Sequence, residues 1–134
     1  MVPGLIDPGI FGWERSAVVK MNFDHYGARV LAAIGDAVSR HFDPSHCKLI
    51  NYTELPQCVR SSLVPFFGAE FSSEDFALME AAAARDAKAP AQAFVADREK
   101  KRILISEELE CLVNAVVVPV YERLEALRLA KVKT

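Results

Sequence analysis

Cys47-Lys48-Leu49-Ile50-Asn51-Tyr52 is the stretch on which the fold class turns. The run is short and apolar, lies between Pro44-Ser45 and Thr53, and reads as a β-strand that follows a helix. A strand needs neighbours, because its backbone donors and acceptors must be paired. The helix–strand–helix order over residues 24–67 is that of a parallel sheet, whose central strands are apolar on both faces. Arg102-Ile103-Leu104-Ile105 offers a second strand, but a helix and a long connection separate it from the first. Two readings stay open on the residues alone. One is a small all-α domain in which 47–52 is an extended connector. The other is the C-terminal portion of a larger α/β protein whose sheet lies upstream.

Outward from this run the pattern is helical. Upstream, Gly27, Val30, Leu31, Ile34, Val38 and Phe42 recur with the helical period and predict one buried stripe. Asp24 is the expected N-cap, and Asp43-Pro44 stops the helix. Residues 1–23 form an apolar opening loop punctuated by Pro3, Gly4, Pro8, Gly9 and Gly12, with Phe11 and Trp13 in need of a surface to lie on. Downstream, Thr53 is expected to cap a helix through Leu55, Val59, Leu63 and Phe66-Phe67, which Pro65 distorts and Gly68 closes. Ser72 with Asp75 has the spacing of a reciprocal cap, ahead of a stripe of Phe76, Met79 and Ala83. An irregular connection over 86–102 follows. Ser106 caps the last helix, and Pro119 divides or kinks it. The expected fold is therefore mostly α with one short strand (47–52), in a single domain over 1–134, which the resemblance described below makes a partial one. Its parts are the loop 1–23, the helix–strand–helix–helix segment with its connection over 24–105, and a kinked helix over 106–131.

Composition narrows the function classes. A chain of 134 residues is one domain at most. With 16 basic against 18 acidic side chains there is no phosphate-tracking surface, so no nucleic-acid partner is expected. No apolar stretch is long enough to span a membrane, and the N-terminus lacks the basic flank of a signal peptide. Three cysteines without paired spacing support neither a disulfide scaffold nor a zinc ribbon, which places the chain in the reducing cytoplasm. His41, Asp43, His46 and Cys47 match no standard metal-ligand spacing, so no metal is expected, and Cys58 and Cys111 read as small core residues.

The ordered set of segments carries a resemblance. It comprises Phe23-Asp24-His25-Tyr26, Leu49-Ile50-Asn51-Tyr52-Thr53-Glu54-Leu55-Pro56, Phe66-Phe67-Gly68, Phe71-Ser72-Ser73-Glu74-Asp75-Phe76, Asp86-Ala87-Lys88-Ala89-Pro90 and Tyr121-Glu122-Arg123-Leu124. Over roughly residues 1–130 the set resembles the C-terminal part of the bacterial P-loop sulfotransferases. The resemblance implies an α/β fold that here lacks the N-terminal sheet and the phosphosulfate-binding P-loop. It also implies sulfuryl transfer from 3′-phosphoadenylyl sulfate, as co-substrate, to a hydroxyl or amine of a small-molecule acceptor. Because nothing in the sequence supplies a Gly-rich loop after a strand, the implied protein is a truncated chain without independent activity.

The resemblance also implies site residues. His25 stands for an acid or base on the acceptor side, against the plainer reading of a capping histidine. Lys88 matches a lysine that precedes Asn-Pro in the family, with Ala89 in place of the asparagine. Arg98, Lys100, Lys101 and Arg102 form the local basic cluster that would reach the 3′-phosphate, against a plain solvated run. The competing function is a small helical module without catalysis, which self-associates or binds a protein. Apolar helix faces left uncovered predict a homo-oligomer.

Overall fold

Asn51 settles the fate of the deciding run. In the computed structural model, which describes residues 2–86, 88–89, 91–94 and 105–130, Asn51 acts as a cap. Its side-chain Oδ1 accepts hydrogen bonds from the Thr53 N–H at 3.0 Å and the Thr53 hydroxyl at 2.8 Å. Glu54 reaches back to accept from the Asn51 N–H at 3.1 Å, and Tyr52–Glu54 closes into a 3₁₀ turn. The expected strand over 47–52 is thus not formed, and the α/β expectation is corrected to an almost wholly helical chain. The physical reason is competition. A short polar side chain offers the backbone local partners, while among the described residues no second strand exists to offer ladder bonds. The sole β pairing among them is an isolated antiparallel bridge between Arg85 and Ala93.

The chain divides into two compact units, Met1–Cys47 with Ile105–Thr134, and Lys48–Leu104. The first unit opens with a 3₁₀ turn, Pro8–Phe11, in which Asp7 accepts from the Gly9 N–H and Gly12 closes in the left-handed region at φ 67°. A short helix α1 (Arg15–Val18) leads to the long helix α2 (Phe23–His41). Asn22, rather than Asp24, caps α2 by accepting from the His25 N–H at 2.8 Å, which leaves Asp24 in the first turn where the helix dipole favours it. The opening segment packs on α2. Val18, Tyr26 and Val30 are fully buried, with Phe11, Trp13 and Met21 against them. The Trp13 ring meets Tyr26 edge-on at 6.3 Å and carries the Arg29 guanidinium 4.9 Å from its centre.

Helices α5 (Glu107–Val116) and α6 (Val118–Leu129) complete the first unit. Ser106 caps α5 through the Leu109 N–H at 3.2 Å. Val117 breaks the run between the two, and Pro119 falls in the first turn of α6, where its missing donor is not required. Both helices pack on α2. At the α2–α6 crossing a Cβ on Gly35 would overlap the Val120 Cγ1 methyl, so only glycine lets the helices approach this closely. An Asp36–Arg123 ion pair closes the rim of the same contact.

The second unit is held by local devices. Val59–Leu63 forms a π-helical turn, in which the Val64 N–H donates to the Val59 carbonyl. The Pro65 ring would clash with the carbonyl four residues earlier in a regular helix, and the wider turn relieves that. Helix α3 (Val64–Phe67) ends at Gly68 in the left-handed region, φ 61°. Helix α4 (Ser73–Ala83) starts with a reciprocal cap: Ser72 Oγ accepts from the Asp75 N–H at 3.1 Å, and Asp75 accepts from the Ser72 N–H at 2.8 Å. No residue of α4 is buried.

Candidate functional site

The sequence-derived site residues fall in different places. His25 lies in the first turn of α2, beside a polar niche lined by Asp24, Ser106, Glu108 and Leu109. Two helix N-termini meet there, and their acidic first-turn residues already answer the exposed backbone N–H groups. The niche holds about 30 Å³, room for one water and not for an acceptor molecule. Lys88 is exposed in the second unit. Its N–H donates to Asp86 Oδ1 at 2.7 Å, and Ala89 donates to the same oxygen at 3.0 Å, a side-chain-closed turn that explains the local chain path. Arg98, Lys100, Lys101 and Arg102 lie outside the described residues.

Asp43, Ser45 and His46 come together after α2. Asp43 Oδ1 accepts from the Ser45 hydroxyl at 2.6 Å and the Ser45 N–H at 2.9 Å. The Ser45 hydroxyl bond, the Ser45 backbone bond and the contact with His46 hold the Asp43 carboxyl down from 3.8 to about 2. The trio does not form a catalytic relay. Ser45 Oγ, at 2.7 Å, and Asp43 Oδ2, at 3.1 Å, both approach the same His46 nitrogen, Nδ1, whereas a relay uses one ring nitrogen for each partner. Among the described residues no group of His, Cys, Asp and Glu could hold a metal ion. Cys58 is buried as a small core residue, while Cys111 is exposed, which corrects its assignment to the core.

Two apolar surfaces were not legible as such in the sequence. In the second unit a groove of about 390 Å³ runs between the Pro56–Arg60 segment and α4, with Val59, Phe76 and Met79 in its wall. The Arg60 guanidinium sits 4.7 Å from the Phe76 ring centre and covers part of that wall. The other surface is on α2. Phe23, Leu31, Ile34 and Val38 are 63, 60, 49 and 38% exposed, and Gly27 lies between the first two at helical spacing. The predicted buried stripe is therefore corrected: of its members only Val30 is buried. Burial on α2 is taken instead by two flanking rows, Tyr26 with Val30 against the opening segment, and Ala28, Ala32 and Gly35. The large apolar residues lie between these rows.

The charges of α2 avoid this face. Arg29 is engaged over Trp13 and Asp36 with Arg123, so the stripe is a charge-free band with Asp24 at one end of the helix and Arg40 and His41 at the other. No described helix is long and apolar enough to cross a membrane. Comparison with protein-family models, characterised proteins and solved structures found no match.

Proposed function

We propose that this chain is a self-associating helical module that works by binding rather than by catalysis, in a reducing cytoplasmic setting where its three thiols stay free. The observation that carries this reading is the charge-free apolar band of α2, left open while the smaller residues on either side are packed. Water-exposed apolar area of this kind favours association. Covering four half-exposed side chains contributes roughly 1 kcal/mol each, or about 8 kcal/mol over two copies. Loss of translational and rotational freedom offsets about half of that or more, so the dimer is weak and concentration-dependent. A net charge of −2 adds little long-range repulsion between copies. Light scattering over a dilution series tests the reading: the weight-average mass rises with concentration if it holds, and stays at that of one chain if it does not.

Sulfuryl transfer is the competing reading, and it rests on the sequence resemblance alone. Calorimetric titration with 3′-phosphoadenosine 5′-phosphate separates the two. The module reading expects no saturable heat. One-to-one binding would reverse the order of the two and bring Lys88 and the basic run at 98–102 forward for mutation.

A further inference from the structure

We infer that the occupant of the open α2 face is α2 of a second copy, antiparallel, about a two-fold axis beside Leu31. This inference rests on the self-association reading and adds its geometry. Two observations carry it. The first is charge. Asp24 stands in the first turn of α2 and His41 in the last, while Arg29, Asp36 and Arg40 fall on the far side of the helix from the band. Antiparallel pairing sets the acidic end of each helix beside the basic end of the other and opposes the two helix dipoles. Parallel pairing would set like against like at both ends.

The second observation is Gly27. Glycine inside a helix disfavours it, and the two interior glycines of α2 differ in what they are for. A Cβ at Gly35 would overlap Val120, so the fold of the chain itself requires that glycine. A Cβ at Gly27 would meet no atom within 4 Å. Nothing within the described chain needs the side chain to be missing there. With the axis at Leu31, Phe23 faces the region of the partner's Val38, and Gly27 faces that of the partner's Ile34. The glycine leaves a notch in the band, and the Ile34 side chain of the second copy is the knob that fills it.

The test separates the geometry from the association. Sedimentation of the unaltered chain comes first, and a monomer at all concentrations overturns both the reading and the inference. Where the chain associates, Phe23→Cys and Val38→Cys are made singly in a background carrying Cys47→Ser and Cys111→Ser, and oxidised alone and mixed. Antiparallel pairing gives disulfide-linked dimer in the mixture and little from either variant alone. Linked dimer from each variant alone overturns the inference and leaves the self-association reading standing. Gly27→Leu supplies a second readout. It is expected to weaken association roughly tenfold or more by filling the notch, while the folded chain becomes harder to melt. Unchanged association in that variant also overturns the geometry.

Discussion

Tyr26 is wholly buried, and its hydroxyl has no hydrogen-bond partner among the described residues. A buried polar group without a partner carries its desolvation penalty uncompensated. Tyr26→Phe removes that group and keeps the ring that Trp13 packs against. The variant is therefore expected to match the parent in denaturant unfolding or exceed it by about 1 kcal/mol; a loss of that size would show that the hydroxyl is bonded. Asp43 supplies a second residue-scale expectation. Its carboxyl is lowered from 3.8 to about 2 by the Ser45 hydroxyl, the Ser45 N–H and His46. Because the folded value lies below the unfolded one, the turn's contribution is complete above pH 3.8 and is lost as pH falls through about 2. An NMR titration should place the Asp43 midpoint near 2, with Ser45→Ala moving it back toward 3.8. A parent midpoint already near 3.8 would contradict the geometry of this turn.

At the scale of elements, the two glycines of α2 give opposite expectations. Gly35→Ala pushes a methyl into Val120 and should destabilise the chain by about 1–3 kcal/mol. Gly27→Ala meets open space and should stabilise the helix by about 1 kcal/mol. Thermal unfolding of the pair reads both signs in one experiment: a stabilising Gly35→Ala would mean that the α2–α6 crossing is misplaced, and a destabilising Gly27→Ala that position 27 is not open. The same helix shows what periodicity can and cannot reveal. Its existence and its stop at Asp43-Pro44 were legible from apolar spacing, and the caps at Ser72 and Ser106 from side-chain chemistry. Which face it buries was not. Apolar residues occupy most of its circumference, and the chain buries two narrow rows of it, one carrying Ala28, Ala32 and Gly35, small enough for a neighbouring helix to come close. The apolar pattern alone therefore selected the wrong stripe. The run at 47–52 failed for a related reason: Leu49-Ile50 carries the composition of a strand, but Asn51 captures the backbone locally before any ladder can form.

For the whole molecule, the functional reading depends on surface rather than on a cleft. His25 was indicated by the sequence resemblance, yet the niche beside it admits about one water. The apolar groove against α4 was hidden because it needs the π turn ahead of Pro65, which no spacing rule announces. In the first unit Leu5, Ile10 and Leu129 are exposed as well, but the α2 band gathers four large apolar side chains on one helix face, and the proposed reading rests on that face. Sedimentation equilibrium of the parent chain and of Leu31→Glu, at matched concentrations up to about 1 mM, tests this most directly. Leu31 is 60% exposed, so the substitution leaves the monomer core untouched while placing a charge at the centre of the band. Association of the parent that weakens roughly 100-fold or more in the variant is the expected result. A parent that stays monomeric, or a variant that associates as the parent does, would contradict the account.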